Sequence, residues 1–297
     1  MIVFVTGATG FIGSASVSHL IARGHRVLGL TRSEAGAAAL RQAGATPHPG
    51  TLADHESLRA GVRQADGVLH LAFDHDFTRF REACAMDKAA IEVMCGELIG
   101  SNRPFIASSG VGLLAPGQVV TEDTAPRPVS DAFPRFSEQV PMTFLDRGVA
   151  AAAVRFAPSV HGREKQGLVT GLIRVARQKG VSAYVGDGSN RWPAVEQQDA
   201  AELCALAIER GEPGALWHAV AEEGIPVRLI AEAIARGLGV PTVSKAPAQA
   251  SEHFGGWLAN FVGQSMPASS RKTREKLRWQ PRGVGLIQDL DAILAAA

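Results

Sequence analysis

Ile2-Val3-Phe4-Val5-Thr6-Gly7-Ala8-Thr9-Gly10-Phe11-Ile12-Gly13 opens the chain. Ile2 to Thr6 is a short apolar, β-branched run that reads as a buried strand. From Phe11 to Arg23, Phe11, Ile12, Ala15, Leu20 and Ile21 recur at helical spacing. Three glycines fall at the joint. There the first permits a tight turn, the second lets backbone approach a pyrophosphate, and the third lets helix pack on strand. The helix N-terminus adds unpaired N–H groups and a positive dipole end. The stretch therefore predicts a dinucleotide cradle made by Gly7, Thr9, Gly10, Phe11, Ile12 and Gly13.

The next apolar run, His25 to Leu30, closes on Thr31-Arg32-Ser33. An acidic residue at this strand end would hydrogen-bond a ribose 2′-hydroxyl, whereas a cation accommodates a 2′-phosphate. No acid is present, so Arg32 and Ser33 point to NADP(H), the alternative being a solvated surface arginine. Strand and helix patterns then alternate: a helix around His55 to Gln64, a strand Gly67 to Ala72, a long helix Phe77 to Ile99, and strands Pro104 to Ser108 and Ala150 to Phe156. This alternation implies an α/β fold, a Rossmann-type doubly wound parallel sheet. The segment 121–134, with three prolines, reads as an exposed loop.

After Pro158 the alternation loosens into a smaller C-terminal substrate-binding region. Helices are expected at Leu168 to Gln178, Asp199 to Arg210, Val227 to Leu238 and Val284 to Ala295, with strands at Ser182 to Val185 and Ala215 to Val220. The implied division gives residues 1–159 and 189–215 to the nucleotide domain, and 160–188 and 216–297 to the substrate region. Of the 297 residues, 30 are Lys or Arg and 29 Asp or Glu, with no basic cluster, which argues against a nucleic-acid surface. Three cysteines without a CxxC pair or a nearby histidine at ligand spacing indicate neither disulfides nor a metal. No apolar run approaches the about 18 residues of a membrane helix and no leader is visible, so a cytoplasmic protein without a membrane partner is expected.

TGATGFIG (Thr6 to Gly13), HLAF (His70 to Phe73), ASSG (Ala107 to Gly110) and VRFAPSVHG (Val154 to Gly162) together resemble the extended and atypical short-chain dehydrogenase/reductase superfamily, the NAD(P)-dependent epimerase/dehydratase group. YVGDGSNRWPAV (Tyr184 to Val195) and SSRKTREKLRWQP (Ser269 to Pro281) extend the likeness over nearly the whole chain. The resemblance implies further cofactor contacts at Leu52, Leu71, Ala72, Phe73, Phe156 and Pro158. It also implies a homodimer through the Phe77 to Ile99 helix and the helix after Arg135.

Members of the superfamily usually carry Tyr-x-x-x-Lys after the fifth strand, where the lysine and the nicotinamide ribose activate the tyrosine for proton exchange. This chain has one tyrosine, Tyr184, with Gly188 four residues on. At the expected place Pro134 stands for the tyrosine and Glu138 for the lysine, and Pro141 interrupts the helix. The usual catalytic Ser/Thr aligns with Ser109 or Gly110.

His161 follows the sixth strand and is a candidate proton donor, or a structural histidine bonding a loop carbonyl. Its spacing to Lys165 is coincidental. Arg135 and Glu138 could bind substrate or ribose, or form a surface ion pair. Asp74, His75 and Asp76 could supply an acid or a metal ligand, or be a hydrophilic loop. Tyr184, Arg191 and Trp192 could shape the pocket, or pack the second region. Ser109, His161 and Arg135 are thus the catalytic candidates. The expected function is NADP(H)-dependent reduction of a small-molecule ketone or aldehyde with an atypical proton donor. The alternatives are a non-catalytic NADP(H) sensor and a nucleotide-sugar epimerase or dehydratase.

Overall fold

A computed structural model describes residues 1–131, 133–163 and 167–295; Lys165 lies outside them. In chain order the elements are β1 (Ile2–Thr6), α1 (Phe11–Ala22), β2 (Arg26–Thr31), α2 (Glu34–Gln42), β3 (Thr46–Pro49), α3 (His55–Arg63), β4 (Gly67–His70), α4 (Phe80–Gly96) and β5 (Pro104–Gly110). The short α5 (Gln139–Met142) precedes β6 (Ala150–Phe156), β7 (Ser159–His161), α6 (Val169–Lys179), β8 (Ser182–Val185), β9 (Arg191–Glu196), α7 (Gln197–Arg210) and β10 (Leu216–Ala219). β11 (Glu222–Pro226), α8 (Val227–Leu238), β12 (Thr242–Lys245), α9 (Ala250–Phe254), α10 (Gly256–Val262), α11 (Arg271–Leu277) and α12 (Leu286–Ala295) follow.

Seven parallel strands form the main sheet in the order β3-β2-β1-β4-β5-β6-β10. The order reverses at β1, so the carboxyl ends of β1, β4 and β5 open a crevice. Both faces are covered. Val3, Val5, Ile106, Ala152 and Val154 face α1 and α7, while Phe4, Val68, Phe105, Ala151 and Ala153 face α3, α4 and α5. Four consecutive alanines, Ala150 to Ala153, keep β6 buried throughout and thin enough for helices on either side.

The second region holds its own core around Ile173, Trp192, Ile230, Ile234 and Leu290. Its strands form two small sheets, β7-β9-β11 and β8-β12. The expected division shifts accordingly. β10, placed in the substrate region from the sequence, completes the main sheet beside β6. β9, placed in the nucleotide domain, pairs with β7 and β11 instead; of the 189–215 stretch it is α7 that packs against α1 and β5. Among the described residues no helix is long and apolar enough to cross a membrane.

Candidate functional site

The crevice begins at the glycine turn. Gly7 has φ +68°, and a Cβ there would stand 2.7 Å from the backbone nitrogen of Ala72. A Cβ on Gly13 would lie 1.9 Å from the Gly7 carbonyl oxygen, so only glycine lets α1 start against this turn. Gly10 caps α1 without a side-chain hydrogen bond, which leaves the first-turn N–H groups to an anion. Ser33 caps α2 by accepting from Gly36 N at 3.1 Å, with Arg32 exposed next to it. Thr9 Cγ2 would come within 3.3 Å of a Cβ on Gly36. The structure thus brings Gly7, Thr9, Gly10, Phe11, Ile12, Gly13, Arg32 and Ser33 around one cradle, and these residues fit the pyrophosphate and adenosine ribose of a nicotinamide dinucleotide.

Leu71 and Ala72 back directly onto Gly7, and Leu52 packs on the core face behind β2 and β4. Phe73 follows β4. Phe156 ends β6 with its carbonyl accepting from Val111 N at 3.0 Å, and Pro158 follows two residues on. The two segments that the resemblance assigns to the cofactor thus lie at the carboxyl ends of β4 and β6, on either side of β5.

Beyond the cradle, a chain of hydrogen bonds crosses the interior. Thr6 Oγ1 accepts from Ala72 N (3.2 Å) and donates to His70 Nδ1 (2.7 Å), whose Nε2 donates to Asp87 Oδ1 (3.0 Å). Ser137 Oγ donates to Asp87 Oδ2 at 2.5 Å and accepts from Arg135 Nε at 2.9 Å. In this donor order every member is satisfied, with a His70 proton on Nε2 facing Asp87. Asp87, 2% exposed, accepts from both directions. It is the one charged residue on the buried face of α4, among Ala83, Cys84, Ala90, Ile91, Met94 and Cys95. That interruption of an apolar helical face was the available sequence signal, and it was missed.

The chain ends on Arg135, half-buried over the Phe73 ring at 4.3 Å from its centroid, with Nη2 3.5 Å from the Ser108 carbonyl oxygen. Desolvation lowers the pKa of its guanidinium from the usual range, opposed by the charge of Asp87. Cys84 shares this environment, and burial pushes its thiol up to about 11. Ser109, one residue beyond that carbonyl, is half-buried at the end of β5. The structure therefore brings Arg135 and Phe73 together next to the carboxyl end of β5, the strand end that carries Ser109.

Glu138 turns away from it. Arg155 on β6, fully buried, donates through Nε to both Glu138 oxygens (3.1 and 3.0 Å) and through Nη2 to Oε1; its Nη1 donates to Thr124 O at 2.9 Å. The residue aligned with the superfamily's lysine is thus the counterion of a buried arginine. The expected alternative of a surface pair between Arg135 and Glu138 does not form. α5 spans only Gln139–Met142, consistent with Pro141 disrupting a longer helix.

His161 is 1% exposed on β7, with Nδ1 2.8 Å from Asp289 Oδ2 of α12 and, among the described residues, no hydrogen-bond partner for Nε2. Asp74 and Asp76 pair with Arg79, and Asp76 caps the turn at Thr78. Among the described residues no three His, Cys, Asp or Glu are grouped to hold a metal ion. Trp192 is fully buried in the second core, and Tyr184 packs under Arg228, 5.8 Å from ring centroid to guanidinium. Those two side chains serve packing in the second region.

Sheet order and cradle together define a dinucleotide-binding α/β protein of the Rossmann type. The chain belongs to the NAD dependent epimerase/dehydratase family, whose pattern matches residues 3–127. It is 46% identical over 293 residues, 98% of either chain, to an uncharacterized protein of Schizosaccharomyces pombe. It is 29% identical to a 2-alkyl-3-oxoalkanoate reductase of Stenotrophomonas maltophilia, covering 83% of this chain and 78% of that one. A dTDP-glucose 4,6-dehydratase from Streptomyces venezuelae, solved with NAD bound, superposes with a TM-score of 0.76 at 19% identity, covering 99% of this chain and 96% of that one. The family and these relatives are of the extended short-chain dehydrogenase/reductase type, and the cradle fits the nicotinamide dinucleotide that such a family implies.

Proposed function

We propose that the protein is an NADP(H)-dependent reductase of small-molecule ketones or aldehydes. The observation that carries this reading is the Arg135 guanidinium, held by Ser137, which Asp87 anchors in turn, next to the end of β5 that carries Ser109. Epimerisation and dehydration need a base as well as a hydride acceptor. The candidates gathered at this mouth are hydrogen-bond donors, because Glu138 is committed to Arg155. Donors suit reduction, in which negative charge develops on the carbonyl oxygen.

When bound, the cofactor supplies hydride to the carbonyl carbon and is oxidised to NADP⁺. The carbonyl π pair passes to oxygen, where Arg135 Nη stabilises it. Ser109 delivers the proton that completes the alcohol and regains one from water. Enclosure of His161 against Asp289 leaves that residue joining β7 to α12. Arg32 and the Ser33-capped end of α2 support NADP(H) over NAD(H), since they offer a cation and a helix N-terminus to a 2′-phosphate. The relative acting on 2-alkyl-3-oxoalkanoates supports carbonyl reduction as the reaction class. A homodimer through α4 and α5, which pack on one another, belongs to the same proposal.

The test is titration with NADPH and NADH, then NADPH oxidation at 340 nm across ketones, aldehydes and quinones. Turnover with NADPH preferred supports the reading. Tight NADPH binding without turnover on any of them replaces it with a sensor.

A further inference from the structure

Three half-buried rings run outward from the mouth. Phe73 and Phe80 have centroids 6.2 Å apart at 60°, and Phe80 and Phe133 lie 6.3 Å apart at 44°. Each end of this wall carries an arginine: Arg135 at 4.3 Å from the Phe73 centroid and Arg127 at 4.4 Å from that of Phe133. The acids around them are already engaged. Asp74 and Asp76 pair with Arg79, Asp131 with Arg81, Glu138 with Arg155, and Asp87 accepts from His70 and Ser137. Among the described residues neither Arg127 nor Arg135 forms an ion pair.

A wall of tilted rings is complementary to a flat apolar body by edge and face contacts. A guanidinium stacked on a ring keeps its in-plane N–H edge free for an anion, and carboxylate matches that edge with two parallel bonds. One arginine balances one carboxylate, whereas a phosphate dianion calls for more donors than this end of the wall supplies.

We infer that the substrate is an aryl ketone or aldehyde bearing a carboxylate, with its carbonyl at Arg135 and Ser109, its ring along Phe80 and Phe133, and its carboxylate on Arg127. This rests on the reductase reading and adds a substrate class to it. Desolvation at Arg135, which lowers its pKa, agrees with a site whose positive charge is completed by ligand.

The experiment compares NADPH oxidation with 4-acetylbenzoate and its methyl ester. The acid is expected to lead by about tenfold or more in kcat/KM, mostly through KM, as a charge-assisted pair provides. In Arg127→Gln the ratio of acid to ester falls close to one, and Arg127→Lys restores part of it. A ratio near one in the unaltered protein, or one that Arg127→Gln leaves intact, overturns the inference. Calorimetry with the non-reducible biphenyl-4-carboxylate and its methyl ester, in the presence of NADP⁺, separates the two readings. Carboxylate-selective binding that Arg127→Gln abolishes, without turnover of any carbonyl compound, supports the site and overturns the reductase. Absence of selective binding overturns the site.

Discussion

The two halves of the crevice are built from different materials. The cradle is made of backbone: glycines at 7, 10 and 13, the open N-terminus of α1 and the capped end of α2. The opposite mouth is made of side chains: a buried polar network through Asp87 ends there on Arg135, and a second, Glu138 with Arg155, lies behind it. A steric requirement such as that at Gly13 tolerates no substitute, so the pattern of the cradle survives intact. A side-chain network can be rewired as long as its charges stay paired. Here a position aligned with lysine holds a carboxylate because a neighbouring strand brings an arginine to it.

This contrast predicts a graded series. Glu138→Ala leaves Arg155 charged and buried without its partner, which costs about 3–5 kcal/mol in urea unfolding. The pair Glu138→Leu with Arg155→Met recovers most of that loss. Unchanged stability with lost turnover in Glu138→Ala would instead make Glu138 part of the chemistry and break the distinction. Gly13→Ala forces α1 off the turn at a cost of about 1–3 kcal/mol. Its sharper signature is loss of the rise in Tm that NADPH produces. Retained NADPH protection there would contradict the cradle.

Arg32→Ala is expected to weaken NADPH by about tenfold to a hundredfold and leave NADH within about twofold, read from dissociation constants for both. Equal losses would remove the 2′-phosphate assignment. The smallest effect concerns acid. His218 on β10 donates from Nδ1 to Ser269 O at 2.7 Å, and burial lowers its pKa from 6.5, aided by Arg155 3.4 Å from Nε2. The unfolded chain therefore binds the proton first, and stability declines as pH falls below 6.5. The urea midpoint should drop between pH 7.5 and 5.5, and less so in His218→Gln; an equal drop would assign the acid sensitivity elsewhere.

What was legible in the sequence follows the same division. β1, the turn and α1 declare themselves because strand period, glycines and helix period meet at one point. Strands β2, β4, β5 and β6 follow from their apolar runs, and α8 from Val227 to Leu238 matches its pattern from end to end. Thr46-Pro47-His48-Pro49 escaped, since two prolines in four residues read as loop although an edge strand admits them. β7 has only three residues, and the β9–β11 pairing shifts register between Glu222 and Ile225, so no regular period marks this small sheet. Ser109 and Arg135 were placed by order along the chain. Their surroundings were not, because the partners of Arg135 and Arg155 come from separate elements that only the folded chain brings together.

The unexpected β3 has a bearing on self-association. Gly50 N donates to Thr31 O of β2 at 3.0 Å, so alternation along the strand turns the nitrogens of Pro47 and Pro49 outward. That rim of the sheet presents no N–H at either position and offers a poor template for another strand. At the far rim, His218 N already donates to Thr273 Oγ1 (2.8 Å) and α11 packs against β10. Growth of one continuous sheet from molecule to molecule is discouraged at both margins, which guards a seven-stranded sheet against edge-to-edge aggregation and leaves helical faces as the route by which two copies can meet.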